Sequence, residues 1–155
     1  MSNVKKLILM VGLPRSGKTT EAKKLGKELN APIVNLDALR LAVHGTAFNQ
    51  DAEDLIWPIA KYNVIANFEY GYDTVIIDAP NNTRKRRKFW EDKRWVREYI
   101  CINTPLEECV KRAGIHNPLV NVIYRMNKDQ EPISNDDYTF AELSHHKQIK
   151  GRPVP

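Results

Sequence analysis

Residues Gly12 to Thr19 (GLPRSGKT) place two glycines, a lysine and a threonine at the spacing G-x-x-x-x-G-K-[ST]. Glycines allow a backbone to turn closely around a phosphate because they carry no Cβ atom. The main-chain N–H groups of such a loop, at the positive end of a helix, attract anions. We therefore expect a phosphate-binding loop that holds a nucleoside triphosphate.

Each polar side chain of this loop has an expected role. Lys18 is expected to reach the β- and γ-phosphates, and Thr19 to offer its hydroxyl to Mg²⁺. The expected nucleotide contacts are Gly12, Pro14, Arg15, Ser16, Gly17, Lys18, Thr19 and Thr20. A chance glycine-rich turn is the alternative, but a strand-like run precedes the loop and an amphipathic helix pattern follows it. The loop alone does not separate kinases from other ATPases, and the guanine-reading motif N-K-x-D is absent.

Asp37 and Arg40 form a second candidate pair, just after the next predicted strand. In an open parallel sheet, ligands bind beyond the carboxyl ends of the strands, so Asp37 is expected at the same edge as the phosphate loop. A carboxylate there can accept the proton of an attacking hydroxyl, and Arg40, one turn on, can hold an acceptor phosphate. The alternatives are a helix-capping aspartate and an arginine that is solvated or neutralises it.

Strand-like and helix-like segments alternate along the chain, which predicts an α/β fold of the P-loop kinase type. We expect a three-layer sandwich with a central parallel sheet of four to five strands, and Val4 to Val11 as its central strand. The other predicted strands are Ile33 to Asn35, Thr74 to Asp78 and Val96 to Ile102. The predicted helices are residues 19–30, 38–45 capped by Asp37, 53–70 containing Pro58, a helix starting near Arg84, one capped by Thr104, 119–128 and a short one near 140–146. A loop is expected over residues 46–51.

The succession G-x-P-x-S-G-K-[ST], then D-x-x-R after the next strand, resembles the kinase domain of 5′-polynucleotide kinases. Asp78 to Asn81 and Arg86 to Trp90 resemble the D-x-N segment and the R-R-x-x-W helix of that family. The resemblance covers most of residues 5–131. D-x-x-R is also shared with zeta toxins and with small-molecule kinases of related build.

The resemblance implies phosphate transfer from ATP to the 5′-hydroxyl of a nucleic acid or nucleotide, with Mg²⁺. In that mechanism Asp37 is the general base, Lys18 contacts the donor phosphate and Arg40 contacts the acceptor phosphate. Asp78 would organise the magnesium shell or the acceptor site, or else simply bond to Thr19. The acceptor contacts implied are Arg40, Asp78, Asn81, Arg84 and Arg87, and the metal contacts implied are Thr19 and Asp78.

The family also has a lid arginine that clamps the donor phosphates. Arg112 is the nearest match and Arg125 is the alternative. The segment after Arg112 is short, so we place the lid at about residues 112–118. We expect one domain over residues 1–155, with a C-terminal tail from about residue 132.

The most basic stretch lies between Arg84 and Arg97, where arginines and lysines alternate with aromatic residues. Phe89 and Trp90 are expected in the core. The basic side chains of this stretch either track a nucleic-acid backbone or form an ordinary solvated surface.

The chain has 155 residues and a net charge of +5, which suits a polyanionic partner. No apolar run approaches the roughly 20 residues of a membrane helix, so we expect a cytoplasmic protein. Cys101 and Cys109 have no zinc or redox spacing, and His116 is expected to be a surface residue. Three functions remain open: a polynucleotide 5′-hydroxyl kinase, a kinase for a small nucleoside, nucleotide or other metabolite, and an ATP-binding regulatory protein.

Overall fold

The computed structural model describes residues 4–45 and 53–148, in which strands and helices alternate. The strands are β1 (Lys6–Val11), β2 (Ile33–Asn35), β3 (Thr74–Asp78) and β4 (Val96–Cys101). The helices are α1 (Lys18–Leu29), α2 (Leu36–His44), α3 (Glu53–Tyr70), α4 (Arg84–Phe89), α5 (Leu106–Ala113), α6 (Leu119–Asp129) and α7 (Phe140–Gln148), with a 3₁₀ turn at Asn135–Asp137. The loop expected over residues 46–51 lies outside the described residues.

The four strands form one parallel sheet in the order β2-β3-β1-β4. β1 is an inner strand, as predicted, because its apolar residues are covered on both faces. Its register with β4 runs to Val11 opposite Cys101, and that of β2 with β3 runs to Asn35 opposite Asp78. The carboxyl ends of all four strands therefore lie along one edge of the sheet.

Alternate residues of β1 face opposite sides of the sheet, and each side is covered by helices. Leu7 and Leu9 join a large cluster that includes Val64 of α3. Ile8 and Met10 join a second cluster with Ala22 of α1. The predicted three-layer sandwich with four strands is thus confirmed. Trp90 is fully buried in the larger cluster, with Phe89 packed against it, as predicted.

Two helix starts differ from the sequence prediction. Asn35, and not Asp37, caps α2, because its side-chain oxygen accepts a hydrogen bond from the Ala38 N–H at 2.8 Å. Asp37 sits within the first turn instead. The α5 helix has no side-chain cap, and the Thr104 hydroxyl donates to the Ser16 carbonyl of the phosphate loop at 2.6 Å. Both departures direct a polar side chain toward the edge of the sheet where the strands end.

The segment from Ser134 to His146 packs into the body of the protein. Asp137 accepts a hydrogen bond from Arg87 Nε at 2.8 Å, and Glu142 binds Arg97 Nη2 at 2.7 Å. All four of these residues are buried. The helix expected near residues 140–146 is present as α7. Within the expected C-terminal tail, residues 134–146 pack beside β4.

None of the helices within residues 4–45 and 53–148 combines the length and the hydropathy needed to span a membrane. Cys101 and Cys109 are free thiols, the first half-buried and the second buried. Burial raises the pKa of both thiols.

Candidate active site

The phosphate loop connects the end of β1 to the start of α1, and its conformation depends on glycine. A Cβ atom on Gly12 would lie only 2.8 Å from Ser16 Oγ and 3.0 Å from the Ile102 carbonyl oxygen, so a larger residue would force its neighbours to move. Gly17 has a φ of 104°, in the left-handed region that glycine tolerates. The loop is therefore tightly wound, as a cradle for a phosphate must be.

Side chains from around the loop hold three of its carbonyl oxygens. Lys18 Nζ donates to the Leu13 oxygen at 2.7 Å, Arg112 Nη1 to the Arg15 oxygen at 3.1 Å, and Thr104 Oγ1 to the Ser16 oxygen. These acceptors are thus turned toward protein donors. The first N–H groups of α1 have no partner within the helix and are left for an anion.

Asn82 anchors the start of the loop. Its side chain accepts from the Gly12 N–H at 3.1 Å and donates to the Gly12 carbonyl oxygen at 3.2 Å. This reciprocal pair ties the end of β1 to the segment after β3. The next residue, Thr83, caps α4, because its hydroxyl accepts from the Arg86 N–H.

Two buried polar groups within the loop suit a bound triphosphate. Lys18 is 8% exposed, and burial lowers the pKa of its ammonium group, while the nearby carboxylates of Asp78 and Asp37 raise it. Ser16 Oγ is buried without a hydrogen-bond partner among the described residues. A cradle with a cation and an unused hydroxyl fits the phosphates of a nucleotide. Around it, Pro14 is half-buried, and Arg15 and Thr20 are exposed.

Asp78 lies at the end of β3 and is almost fully buried. Its Oδ2 accepts from Thr19 Oγ1 at 2.7 Å and from Asn35 Nδ2 at 2.8 Å. A hydroxyl and a carboxylate so close to the loop are the oxygen ligands that Mg²⁺ prefers. Within the described residues, no group of three or more His, Cys, Asp or Glu side chains forms a protein-only metal site. The two groups therefore fit a magnesium ion that draws its other ligands from phosphates and water.

Asp37 and Arg40 lie on the exposed side of the same edge. The Asp37 side chain is 74% exposed, and its Oδ1 accepts from Arg40 Nη1 at 2.6 Å. Arg40 is only 12% exposed, and its Nε donates to Glu53 Oε2 at 3.0 Å. Burial opposes the charged form of Arg40, but Glu53 and Asp37 outweigh it and raise the pKa of Arg40.

Sequence reasoning missed Glu53. It is the first residue of α3, where an acidic residue is ordinary because it suits the helix dipole. Nothing in its local pattern distinguishes it from a solvated helix start. Its contact with Arg40, thirteen residues away, arises only when α2 and α3 pack together.

Two of the implied acceptor contacts have buried side chains that are hydrogen-bonded within the protein. Asn81 is 1% exposed, donates to the Met10 carbonyl oxygen at 2.9 Å, and accepts from the indole of Trp90 at 3.2 Å. Arg87 is fully buried, and besides its ion pair with Asp137 it donates to the Glu131 carbonyl oxygen at 2.9 Å. Both side chains are therefore engaged within the protein.

The other sequence candidates are at the surface. Arg84 is exposed at the start of α4, Arg125 is exposed on α6, and His116 is exposed as predicted. Arg112 is also exposed, but its Nη1 contacts the phosphate loop, and its Nε donates to Glu108 at 3.1 Å. Of the two arginines considered for the lid, only Arg112 touches the loop in the described structure.

A family model described as an AAA domain matches residues 7–116, which include the phosphate loop, Asp37, Arg40 and Arg112. The chain belongs to this family. Its fold is that of the P-loop kinases, as predicted, and P-loop kinases bind nucleotides. No curated protein sequence matches the chain.

Two similar solved structures come from one assembly. A chain in the structure of a Pnkp1/Rnl/Hen1 complex is 27% identical, with a TM-score of 0.65, over 76% of this chain and 42% of that one. A chain in the Pnkp1/Rnl/Hen1 RNA repair complex is 20% identical, with a TM-score of 0.62, over 91% of this chain and 51% of that one. The chain thus spans about half the length of these relatives.

Other small kinases share the fold. The APS kinase CysC of Mycobacterium tuberculosis, determined with AMPPNP and APS, is 16% identical, with a TM-score of 0.60, and 86% of each chain is covered. Kinases with different acceptors therefore share this architecture, and the fold alone does not select the acceptor.

Proposed function

We propose that the protein transfers the γ-phosphate of ATP to the 5′-hydroxyl of a polynucleotide. The observation that carries this proposal is the Asp37–Arg40 pair at the edge of the phosphate loop. The Asp37 carboxylate is open to solvent, and its charge acts on Lys18 in the loop. A base that is accessible to an acceptor and close to the donor is what an alcohol kinase needs.

In this reaction the 5′-oxygen of the acceptor forms a bond to the γ-phosphorus. The bond from that phosphorus to the β–γ bridging oxygen breaks, and ADP leaves. The hydroxyl proton passes to Asp37, and Lys18 neutralises charge on the donor phosphates. Arg40, held by Glu53, orients Asp37 and offers its remaining N–H groups to the acceptor phosphate.

Thr19 and Asp78 would hold magnesium, which screens the charge of the phosphate oxygens. Arg112 would clamp the donor. Its Nη1 lies 4.0 Å from the position of a Cβ on Gly17, beside the loop where the phosphates would bind. Lys18 and Arg112 donate to loop carbonyl oxygens, and phosphate oxygens would replace those acceptors.

The polynucleotide acceptor draws support from the similar chains of the Pnkp1/Rnl/Hen1 complex, which is described as an RNA repair complex. The basic residues exposed on α4 support a polyanion as well. A small metabolite as acceptor, and a regulatory protein that binds ATP without transferring phosphate, are the competing outcomes.

The test is an acceptor panel with γ-labelled ATP and Mg²⁺. The acceptors are 5′-hydroxyl RNA and DNA oligonucleotides, nucleosides and mononucleotides, with Lys18→Ala and Asp37→Asn as controls. We expect label on oligonucleotides with the parent protein, and little or none with either variant. Label only on a small acceptor would show a metabolite kinase, and ATP binding without label on any acceptor would show a regulatory protein.

A further inference from the structure

Arg86, on α4, lies over a buried aromatic ring of α3. Its guanidinium carbon is 4.2 Å from the ring centroid of Trp57 on α3, a cation–π distance. The residue is exposed, and none of the ion pairs within residues 4–45 and 53–148 includes its side chain. The contact with the ring leaves guanidinium N–H groups available to bind an anion.

A second cation lies on the same surface. Lys61, one turn after Trp57 on α3, places Nζ 5.1 Å from the ring centroid of Phe89 and donates to the Phe89 carbonyl oxygen at 3.2 Å. We call Trp57, Lys61, Arg86 and Phe89 the α3–α4 ledge. Trp57 is 7% exposed and Phe89 is half-buried, so most of the surface of both rings is covered. The ledge therefore presents positive charge, and hardly any aromatic surface, to a ligand.

The ledge adjoins the proposed acceptor site through α3. Glu53, one turn before Trp57, is the residue that holds Arg40. Burial lowers the pKa of Arg86, and the charge of Arg40 lowers it further, while Glu53 and Asp54 raise it. Arg86 and Arg40 are thus close enough to repel each other, and the Glu53 carboxylate is already bound to Arg40. An incoming anion would relieve this repulsion.

We propose that the α3–α4 ledge binds the sugar–phosphate backbone of the acceptor strand beyond its first nucleotide, with Arg86 holding a phosphate next to the one at Arg40. This inference rests on the proposed function, and it makes the preferred acceptor a strand of several nucleotides. Binding through phosphates, with the aromatic rings covered, requires no particular base sequence.

The test compares acceptors of different length. For adenosine 3′-phosphate and for a 5′-hydroxyl hexaadenylate, we would measure kcat/KM with the parent protein, Arg86→Gln and Arg86→Lys. We expect the parent to prefer the hexanucleotide. Arg86→Gln should reduce that preference about tenfold, the value of one charge-assisted hydrogen bond to a phosphate, and Arg86→Lys should restore part of it.

The salt dependence separates phosphate binding from a structural role. When a protein binds one phosphate fewer on a single strand, the slope of log(kcat/KM) against log salt falls by about 0.7. We expect this smaller slope for Arg86→Gln with the hexanucleotide. An unchanged slope, even with lower activity, would mean that Arg86 only packs on Trp57, and would overturn the inference.

Arg94→Gln is the matched control. Arg94 also lies over a tryptophan, with its guanidinium 5.4 Å from the ring centroid of Trp95, but it precedes β4, at the other edge of the sheet. The length preference and the salt slope of Arg94→Gln should equal those of the parent. If the parent labels the hexanucleotide and Arg86→Gln keeps the full length preference, the ledge inference fails while the proposed function stands. If the parent labels only small acceptors, both fail.

Discussion

The edge of the sheet that carries the phosphate loop and the segment that covers β4 are both rich in charge, but they use it differently. Beside β4, Arg97 binds Glu142 through two nitrogen atoms, and the side chains of both residues are at most 4% exposed. At the loop edge, Ser16 Oγ is buried without a partner among the described residues, and Asp37 is largely exposed. The first region satisfies its polar groups within the protein, and the second keeps some of them for a ligand.

This difference indicates where stability and function reside. Buried charges that lose a partner are strongly destabilising, so the segment beside β4 should govern the free energy of unfolding. Exposed groups contribute little to folding, and buried polar groups without a partner reduce stability, so both are retained where chemistry needs them. Variants in the segment beside β4 should therefore change the free energy of unfolding, and variants at the loop edge should change phosphate transfer or ATP binding.

The largest expected effect is at Asp37. Replacing it by asparagine removes the base but preserves the shape of the side chain, so the transfer rate should fall about 10³-fold, within the range of general-base catalysis. ATP binding should persist, because the loop contacts are untouched. Single-turnover phosphate transfer and an ATP binding isotherm measure the two quantities separately.

Asp92→Asn is the control for that variant. Asp92 also accepts from an arginine, with Arg94 Nε at 2.8 Å from its Oδ1, and this hydrogen bonding lowers the pKa of Asp92 to about 2. It lies just before β4, away from the phosphate loop. Its transfer rate should match that of the parent. If Asp37→Asn transfers phosphate at the parent rate, Asp37 is not the general base, and the loop edge loses its assigned functional role.

The next effect is on stability, at Asp137. Its side chain is 1% exposed and that of Arg87 is 0% exposed, so Asp137→Ala leaves a buried guanidinium without its counter-charge. We expect the free energy of unfolding to fall by about 3–4 kcal/mol, measured by urea denaturation. The kcat measured below the unfolding transition should stay at the parent value, because the pair lies outside the proposed site.

Two further variants make the result interpretable. Asp136→Ala changes the adjacent but exposed aspartate and should leave stability nearly unchanged. Asp137→Asn keeps the side-chain shape and provides a measurable protein if the alanine variant does not fold. If Asp137→Ala loses little stability but much kcat, the segment beside β4 serves function and not stability, contrary to our assignment.

The features predicted from the sequence are those that local patterns encode. The spacing of residues 12–19 marks the loop, and the apolar run after Val4 marks the inner strand, because each pattern depends on neighbours in the chain. The burial of Trp90 follows from its size and from its place in a short amphipathic segment. The position of Asp37 at the loop edge follows from the rule for parallel sheets.

The features missed depend on contacts between distant residues. Arg87 resembles the surface cations around it, but its partner Asp137 lies fifty residues away in a polar segment. Asn81 matches a polar residue of the D-x-N segment, whereas its side chain donates to the Met10 carbonyl oxygen of β1. Glu53 likewise acquires its role only from Arg40. A polar residue that pairs in tertiary structure is indistinguishable in sequence from one that faces water.

The smallest expected effect is at Thr104. It tests a residue of the site that holds the phosphate loop and does not itself contact the proposed substrates. The Thr104 hydroxyl holds the Ser16 carbonyl oxygen at 2.6 Å, one of the few side-chain bonds that fix the loop. Thr104→Val preserves the shape but removes the donor, so that peptide can turn its oxygen toward the phosphates. We expect the Kd for ATP to rise about fivefold, the value of one hydrogen bond, with a smaller change in kcat. Thr104→Ser keeps the hydroxyl and should bind ATP like the parent. Equal ATP affinity in the valine variant would show that the other carbonyl contacts, from Lys18 and Arg112, hold the loop without it.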